Sequence, residues 1–379
     1  MIVRPGRVLI VTQYFCEGKG GTPEAARLLA CQMAEIGIVC DVVCTQGFVP
    51  AAHQLDGLPA DKESEVFRPR QQVSVTNYNA VFVTGSWNSI AFYYGIRALA
   101  AAVPLAYAAK GCMCRIEFER WRDFKKVIYL ILVEGFLVTF SDRIIFSSRA
   151  ERDNFVVSQF LWGKKCVVLP EPFRGPPLLP GLSIDARNRD IITLGFLAEI
   201  SARKGLRELV EGFVLFLSQN PALKVRLLVG GTVRPGFEGY LEKLREYLKR
   251  GGCADRVIWC GVVRKGDRQA FYENLDLFVC PSRFESFGLT PLEALWYGIP
   301  VVIGRQIGVY EFLPADAPVY VLESLRAEFI ANVLSSLVPE LAKVGKRARR
   351  FRGKSFPALS GSAHAQLFES ALFSRRVAP

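Results

Sequence analysis

The sequence predicts an α/β protein of two domains, each a parallel sheet covered by helices. The chain has 379 residues, of which 50% are hydrophobic and 12% aromatic, enough for two buried cores. Short apolar runs alternate with helical segments through both halves, which is typical of parallel βαβ units. A stretch rich in Pro and Gly, EPFRGPPLLPGLSID at 171–185, has neither a helical nor a strand period and indicates a linker between the halves.

Six apolar runs predict the strands of the first half. They are RVLIVTQYF, CDVVCT, AVFVTG, VPLAYAA, RIIFSS and KCVVLP. Between the first two, a helix is predicted from Thr22 to Gly37, because Pro23 suits the first helical position and Gly37 suits the C-terminal stop. The run RVLIVTQYF follows two arginines, as in a signal peptide, but it is too short for one and fits a buried strand better.

The second half repeats the alternation. Its predicted strands are DIITLGF, VRLLVGG, RVIWCGV, DLFVCPS and PVVIG, with helices near 206–219, near 237–250 and after Thr290. We therefore predict two Rossmann-like domains, 1–172 and 189–358, a linker over 173–188, and a C-terminal helix in 359–379 that packs back on the first domain. Ligands of open parallel sheets bind beyond the carboxyl ends of the strands, so two such domains facing each other across a cleft would bring two substrates together.

The chain carries a formal net charge of +12, and much of it lies near the C-terminus. The basic residues there are Lys343, Lys346, Arg347, Arg349, Arg350, Arg352, Lys354, Arg375 and Arg376. A basic surface of this kind favours an anionic partner such as a phospholipid membrane, and a solvated helix face is the alternative. The Lys- and Arg-rich start of a helix predicted over 120–138 is a second membrane candidate, whereas the rest of that helix is expected to pack on the first sheet.

No segment predicts a membrane span. The longest apolar run, Val127 to Phe140, contains Glu134 and is shorter than the roughly 20 residues that a spanning helix needs. We therefore expect a cytoplasmic protein, soluble or peripheral on the inner face of the plasma membrane. The ten cysteines are scattered through apolar segments and are expected to be thiols. Cys112 and Cys114 have no matching His or second Cys pair nearby, so a zinc site is not expected.

The most informative stretch is FVCPSRFESFGLTPLEALWYGIPVVIGRQIG, residues 278–308. A strand ends at Cys280, a loop follows, and a helix is predicted to open at Thr290 after Gly288. The start of a helix presents free backbone N–H groups and the positive end of the helix dipole, which together suit a diphosphate.

Two carboxylates frame this helix start. Glu285 lies in the loop and Glu293 lies eight positions later in the helix, and carboxylates are strong acceptors for sugar and ribose hydroxyls. The alternative for Glu293 is a capping box, in which its side chain binds the backbone of Thr290. Glu285 has no equally simple structural explanation, because its loop is otherwise mostly apolar.

These residues resemble the E-x7-E signature of the retaining GT-B glycosyltransferases, in particular glycosyltransferase family four, and the likeness extends through nearly the whole second half. The resemblance implies that Glu285 contacts the transferred sugar and that Glu293 contacts the ribose of a nucleotide diphosphate-sugar. It further implies donor binding by Ser282 and by the backbone at Phe287, Gly288 and Leu289.

The family also carries a basic pair, an Arg directly after a strand-ending Gly and then a Lys before a Gly, which neutralise the leaving diphosphate. In LGFLAEISARKGLREL, Lys204 and Gly205 match the second element, whereas Phe196 stands where the Arg is expected. The resemblance implies a catalytic role for Lys204. Either Arg203 substitutes for the missing Arg, or neutralisation of the diphosphate is weakened. An ordinary solvated helix start is the structural alternative for Arg203 and Lys204.

The first half matches the family less closely. QYFCEGKGGTPEAARLLACQMAEIG resembles its first strand, loop and helix, in which Gly20 and Gly21 let the backbone approach the donor diphosphate. Lys110 and Gly111 stand at a position that is frequently Arg-Gly or His-Gly in an acceptor-side domain. No His occurs in this region, so no general base is assigned, and the family view implies that a leaving phosphate oxygen takes the acceptor proton.

The resemblance implies a hexosyltransferase that moves a hexose-type sugar to a saccharide or polyprenyl-linked acceptor, in the synthesis of bacterial exopolysaccharide or lipopolysaccharide. No cofactor and no metal are expected, since the site lacks an Asp-x-Asp motif. The alternative is a non-catalytic GT-B relative, a nucleotide-binding or partner subunit. A dehydrogenase is disfavoured because no G-x-G-x-x-G follows the first strand. No nucleic acid partner is expected, because Glu285 and Glu293 repel phosphate backbones.

Overall fold

The computed structural model describes residues 6–14, 21–46, 73–85, 89–115, 128–156, 166–179 and 190–373. The chain divides into two units, of which unit 1 comprises Met1–Arg174 with Phe356–Pro379 and unit 2 comprises Gly175–Ser355. Each unit contains a six-stranded parallel sheet with helices packed on it. The α/β fold class predicted from the sequence is therefore confirmed.

The strands of unit 1 coincide with the six apolar runs of the first half. They are β1 Arg7–Tyr14, β2 Val39–Gln46, β3 Ala80–Thr84, β4 Leu105–Ala108, β5 Arg143–Phe146 and β6 Cys166–Val168. They lie side by side in the order β2-β1-β3-β4-β5-β6, and Val8 of β1 pairs with Cys40 of β2 and with Ala80 of β3. Both faces of a parallel sheet are covered by helices, which explains why these strands are almost continuously apolar.

The helices of unit 1 pack on this sheet. Among the described residues, the first four are α1 Gly21–Glu35, α2 Ser89–Ala100, α3 Gly135–Phe140 and α4 Arg149–Asn154. α1 begins one residue before the predicted start, and Gly37, with φ of +81°, lies just beyond its end. The helix predicted over 120–138 lies outside the described residues up to 127, and a π-helical turn, Leu130–Glu134, precedes α3.

The sheet of unit 2 has the order β12-β11-β10-β7-β8-β9. Its strands are β7 Ile192–Leu197, β8 Val225–Gly230, β9 Val257–Gly261, β10 Leu277–Cys280, β11 Val301–Gly304 and β12 Val319–Leu322. The chain runs from the central β7 out to β9 and then returns to β10 on the other side of β7. The strand order therefore reverses between β7 and β10, and sheets of this kind bind ligands at that point.

The helices of unit 2 alternate with its strands. They are α5 Leu206–Gln219, α6 Glu238–Arg250, α7 Arg268–Glu273, α8 Leu289–Trp296, α9 Ala327–Leu337 and α10 Leu341–Arg349. α5 and α9 pack on each other and on the sheet through buried side chains such as Phe213, Phe216 and Ile330. Full burial of each such side chain contributes roughly 1.5–3 kcal/mol. This core holds the strand ends of unit 2 in fixed positions.

The C-terminal helix α11, Gly361–Phe373, belongs to unit 1 and packs on α1. The imidazole of His364 on α11 is buried, with Nε2 2.9 Å from the carbonyl oxygen of Pro170 and Nδ1 2.6 Å from the side-chain amide of Gln32 on α1. Phe368 meets Phe82 of β3 edge to face, with ring centroids 5.5 Å apart. Across the residues that the structure describes, no helix has the length and apolarity needed to cross a bilayer.

Candidate functional site

The loops that follow β7 and β10 meet at the reversal of strand order in unit 2. Lys204 Nζ lies 2.5 Å from Glu285 Oε1, and the Ser282 hydroxyl donates to the same carboxylate oxygen over 2.7 Å. Arg203 Nη1 lies 3.7 Å from Glu285 Oε2. The structure thus brings together three charged residues and one serine that the sequence assigned to the site.

Backbone contacts fix the two loops to each other. The amide N–H of Arg283 donates to the carbonyl of Arg203 over 2.9 Å, and the guanidinium of Arg203 donates to the carbonyl of Phe284 over 2.9 Å. Between them, Gly205 has φ of +71°, and a Cβ at this position would lie 2.0 Å from the carbonyl oxygen of Pro281. Only glycine fits this close approach, so the Lys-Gly pair has a backbone requirement as well as a charge.

Hydrogen bonds to the segment after β11 hold the Glu285 loop on its other side. The amide of Glu285 donates to the carbonyl of Gln306 over 3.0 Å, and the amide of Gly308 donates to the carbonyl of Glu285 over 3.1 Å. The carbonyl of Phe287 accepts from Val309 over 2.7 Å, and the Phe287 ring is buried. Phe287 therefore anchors the loop through its side chain and its carbonyl.

The cations beside Glu285 control its ionisation. Burial by itself raises the pKa of the Glu285 carboxyl, but the charges of Lys204 and Arg203 and the hydrogen bonds from Lys204 and Ser282 outweigh burial and lower the pKa below its ordinary value. The carboxylate is therefore ionised at neutral pH. Two cations beside one carboxylate leave an excess of positive charge, and the side chains of Lys204 and Glu285 are 14% and 15% exposed. The cluster is thus suited to a bound anion.

The start of α8 lies directly after this loop. Its N-cap is Gly288, with φ of +102°, and a Cβ there would lie 2.7 Å from Ile307 Cγ2. Glycine has no side chain that could cap the helix, so the backbone amides of the first turn receive no hydrogen bond from the N-cap residue. The helix begins at Leu289, one residue earlier than predicted, and Thr290 is a helical residue.

The capping box considered for Glu293 is wrong. Because Gly288 occupies the N-cap, Thr290 cannot serve as the cap, and the Glu293 carboxylate turns instead toward α7. The hydroxyl of Tyr272 donates to Glu293 Oε2 over 2.9 Å, and the guanidinium of Arg268 donates to Oε1. Glu293 is 8% exposed. It is therefore a buried carboxylate held in one orientation by partners from another helix.

Sequence reasoning missed Arg268 and Tyr272. Both lie on α7, far from the E-x7-E segment along the chain, and Tyr272 is fully buried and stacks on Tyr297 with ring centroids 5.2 Å apart. Burial and the Glu293 carboxylate raise the pKa of the Tyr272 hydroxyl well above its ordinary value, so it stays a hydrogen-bond donor. The available signal was weak: Phe271 and Tyr272 are adjacent aromatic residues in RQAFYE, and a buried tyrosine hydroxyl needs a partner.

Three other expectations from the sequence concern Phe196, the exposure of Arg203 and Lys204, and the glycine pair of unit 1. Phe196, which stands where an Arg was expected, is buried within β7 beside Val229 of β8 and takes no part in the cluster. The alternative of a solvated helix start for Arg203 and Lys204 is wrong, because their side chains are only 25% and 14% exposed. In unit 1, Gly21 is the first residue of α1, and Gly20 lies outside the described residues.

Comparison with known proteins locates the resemblance in unit 2. Residues 189–338 match the family model described as glycosyl transferases group 1. The mannosylfructose-phosphate synthase of Agrobacterium fabrum is 34% identical over 115 residues, which are 30% of this chain and 25% of that protein. The lipopolysaccharide core biosynthesis mannosyltransferase LpsB of Rhizobium meliloti is 30% identical over 142 residues, 38% of each chain. This segment resembles glycosyltransferases, as the sequence predicted.

Solved structures match almost the whole chain. Anabaena Alr3699/HepE in complex with UDP and glucose has a TM-score of 0.68 at 16% identity, over 97% of this chain and 99% of that one. The lipopolysaccharide outer core galactosyltransferase WaaB has a TM-score of 0.62 at 14% identity, over 97% and 99% of the two chains. The fold is that of the GT-B glycosyltransferases. The matched segments cover 25% and 38% of the lengths of the two curated relatives, so the chain shares only part of each relative.

Proposed function

We propose that the protein is a retaining glycosyltransferase that takes a hexose-type sugar from a nucleotide diphosphate-sugar. The observation that carries this proposal is the cluster of Lys204, Arg203 and Glu285 at the reversal of strand order, beside the start of α8. The cluster lies in the segment that resembles glycosyl transferases group 1. A helix start and two cations are complementary to a diphosphate, and carboxylates are complementary to hydroxyls.

Each residue has a proposed role in binding the donor. Glu293, held by Tyr272 and Arg268, accepts hydrogen bonds from the ribose hydroxyls. Glu285 accepts from the transferred sugar. Ser282 orients Glu285, because its hydroxyl already donates to that carboxylate. The diphosphate lies against the first-turn amides of α8, near Gly288 and Leu289, and against the two cations of the preceding loop. Gly20 and Gly21 are proposed to approach the same diphosphate from unit 1.

In the proposed reaction an acceptor hydroxyl attacks the anomeric carbon. The bond from that carbon to the diphosphate breaks, the new glycosidic bond forms on the same face of the sugar, and the acceptor proton passes to the leaving phosphate oxygen. Negative charge develops on the diphosphate as the bond breaks. Lys204 and Arg203 stabilise that charge from fixed positions, and removal of one such group typically costs about 100- to 1000-fold in rate.

We propose that the charge on the leaving group is balanced by protein cations without a required metal ion. Lys204 and Arg203 supply two positive charges next to the α8 start, which support this role. We expect turnover to continue at an unchanged rate when a chelator such as EDTA replaces added Mg²⁺ or Mn²⁺. Loss of activity that returns with either ion would contradict this part of the proposal.

For the acceptor we propose a saccharide or polyprenyl-linked saccharide, in the synthesis of a bacterial surface polysaccharide at the inner face of the plasma membrane. Support comes from the lipopolysaccharide mannosyltransferase among the relatives and from the basic residues around α10. The protein would then be cytoplasmic and in peripheral contact with the membrane.

The first test is thermal unfolding of the wild type and of Glu293→Ala with UDP, GDP, ADP and their hexose conjugates. A ligand at 100 times its dissociation constant stabilises a protein by about 2.7 kcal/mol, which is a measurable shift. We expect one nucleotide series to stabilise the wild type and to lose that effect in Glu293→Ala. A matched control, Glu242→Ala, removes an exposed carboxylate on α6 of the same unit and should keep the shift.

The same measurement separates the two candidate functions. Stabilisation by one series, followed by sugar transfer or slow donor hydrolysis, supports the enzyme. Binding of a nucleotide without turnover to any acceptor supports the alternative, a non-catalytic relative that retains the fold, for which the buried Phe196 in place of a basic residue is the motivating observation. If no nucleotide shifts the unfolding of either protein, the donor site itself is wrong.

A further inference from the structure

A buried negative charge lies one turn inside the helix whose start is the proposed diphosphate site. Glu293 comes four residues after Leu289, the first residue of α8, which at 1.5 Å per residue is about 6 Å along the helix axis. Glu293 is 8% exposed, and solvent ions screen a buried charge only weakly. Its carboxylate therefore repels an anion that binds at the start of α8.

This repulsion is large enough to oppose the binding of a diphosphate. At an effective dielectric constant of about 20, two unit charges about 10 Å apart alter a dissociation constant by about tenfold or more. A nucleoside diphosphate and its sugar conjugate each carry more than one negative charge. A site that uses Glu293 to bind the ribose hydroxyls therefore needs a positive charge beside that carboxylate.

Arg268 supplies a positive charge at this position. Its guanidinium, which stays protonated in proteins, donates to Glu293 Oε1, and the Arg268 side chain is 38% exposed. The Tyr272 hydroxyl donates to Glu293 Oε2 over 2.9 Å, but it is neutral, because burial and the Glu293 charge raise its pKa well above the ordinary value. Tyr272 thus orients the carboxylate, whereas Arg268 also balances its charge.

Contacts of α7 hold Arg268 in place. The side-chain amide of Gln269 donates to the carbonyl of Leu179 over 2.9 Å and accepts from the amide of Leu179 over 3.0 Å. Glu273, the acidic residue of α7, accepts a hydrogen bond from the guanidinium of Arg352 over 2.6 Å. Arg268 therefore projects from a helix that is fixed at several points, and the acidic residue of that helix has a cation of its own.

The net charge of the donor site depends on Arg268. The cluster of Lys204, Arg203 and Glu285 has one positive charge in excess. The carboxylate of Glu293 by itself would cancel that excess. With Arg268 included, three cations stand against two carboxylates, so the five side chains together remain positive. A site with this balance attracts an anion, whereas the same site without Arg268 does not.

We propose that Arg268 is the counter-charge that lets the Glu293 site accept an anionic nucleotide, and that it acts through Glu293 and not by direct contact with the phosphates. The inference rests on the proposed function and gives it a residue that selects for ligand charge. Arg268 is thus a positioning residue. Its removal should weaken binding more strongly for ligands of higher negative charge, whereas loss of carboxylate orientation would weaken every ligand that contains the ribose equally.

The test compares ligands that share a base and a ribose but differ in charge. The probes are a nucleoside, its monophosphate and its diphosphate, in the uracil, guanine and adenine series, with EDTA present and binding followed by ligand-observed NMR. Arg268→Met keeps a long aliphatic side chain and removes the cation. We expect the dissociation constant of the diphosphate to rise at least about tenfold, while that of the nucleoside stays within about threefold.

Two control variants separate the Arg268 charge from other effects. Arg268→Lys keeps the cation, so all three ligands should bind within about threefold of the wild type. Arg256→Met removes a guanidinium of similar exposure, 40%, from its pair with Asp255 in the same unit. It should leave the three dissociation constants unchanged, because it lowers the net charge of the protein without altering the charge beside Glu293.

A double-mutant cycle tests whether Arg268 acts through Glu293. Glu293→Gln removes the negative charge and keeps an acceptor oxygen for the ribose. In this background Arg268→Met should raise the dissociation constant of the diphosphate by no more than about threefold, since no carboxylate charge remains to be balanced. The double variant also leaves no buried charge without a partner, so this comparison remains available if Arg268→Met alone does not fold.

The outcomes separate this inference from the donor site itself. A loss that grows with ligand charge in Arg268→Met and disappears in the Glu293→Gln background supports it. Equal loss for all three ligands, equal loss in both backgrounds, or a charge-dependent loss in Arg268→Lys would overturn it, while nucleotides still bind the wild type. If no nucleotide of the three series binds the wild type, the proposed donor site is wrong and the inference falls with it.

Discussion

At the scale of single residues, Lys204 should be the side chain whose loss reduces turnover most. Its ammonium lies 2.5 Å from Glu285 in the loop that precedes α8, where charge develops on the proposed leaving group. Lys204→Met keeps the aliphatic stem and removes the cation. We expect kcat to fall about 100-fold or more while the protein stays folded. Lys249→Met, on the exposed face of α6, is the control, and equal activity in the two variants would exclude Lys204 from the chemistry.

Gly205 gives a prediction about stability. Its φ is +71°, and a Cβ added there would lie only 2.0 Å from the carbonyl oxygen of Pro281, so Gly205→Ala forces the two site loops apart. We expect the midpoint of urea unfolding to fall by an amount that corresponds to at least about 2 kcal/mol. Gly239→Ala is the matched control, because Gly239 lies in α6 with no atom within 4 Å of an added Cβ. Alanine is favoured there by up to about 1 kcal/mol, so this control should be neutral or stabilising.

The site residues differ in how far the sequence could predict them. Lys204 and Glu285 come together as expected, because the loops after two strands that flank the strand-order reversal must meet. The partners of Glu293 could not be predicted, since they come from α7 and are set by tertiary packing. The capping box failed because Gly288, and not Thr290, is the N-cap of the helix, and helix boundaries are the least reliable part of a sequence-based assignment.

At the scale of elements, the contact between α11 and α1 should depend on pH through His364. Burial lowers the pKa of His364, and the carbonyl of Pro170 and the Glu171 charge only partly oppose this, while the Lys110 charge adds to it. The unfolded chain has the ordinary pKa of about 6.5, so it binds a proton more readily than the folded state does. The stability contribution is therefore complete above pH of about 6.5 and declines as pH falls below it.

The measurement is the unfolding free energy of the wild type and of His364→Gln between pH 7.5 and pH 5.5. One proton changes stability by at most about 1.4 kcal/mol per pH unit, and we expect the wild type to lose more stability than the variant over this range. Groups other than His364 titrate alike in both proteins and cancel in the difference. Parallel pH curves for the two proteins would show that the pKa of His364 is the same in the folded and unfolded states, which would contradict this prediction.

The sequence predicted most strands but did not assign some of the helices. All six strands of unit 1 and five of unit 2 appear as apolar runs, because most of them are buried on both faces and need no polar alternation. The edge strands β6 and β9 are apolar although they are only partly buried. β12, Val319–Leu322, was missed; it is an edge strand whose first three residues are half-buried. α9 and α10 were also not assigned. α9 packs on α5 and on β12, and α10 buries Val344 and Ala348, a helical spacing that the sequence does contain.

At the scale of the whole molecule, a cluster of positive charge lies on unit 2, in α10 and in the residues that follow it. α10 and the residues after it expose cations, whereas Arg352 is half-buried and paired with Glu273 over 2.6 Å. The exposed cations are Lys343, Lys346, Arg347, Arg350 and Lys354. Arg352 is therefore part of the fold, whereas the exposed cations of this group are available to anionic lipid.

These cations predict electrostatic binding to membranes. Each Lys or Arg near an anionic surface contributes roughly 1 kcal/mol at low salt, so replacing Lys343, Lys346, Arg350 and Lys354 by Gln should weaken binding to phosphatidylglycerol vesicles at least about tenfold. Co-sedimentation measures the binding, which should also decline with salt because the attraction is screened. A control with Lys243, Lys249, Arg250 and Lys265 replaced by Gln removes the same charge from another exposed part of unit 2 and should bind as the wild type does. Equal weakening in both variants would mean that net charge alone drives adsorption, and unchanged binding in the first would remove α10 from any membrane contact.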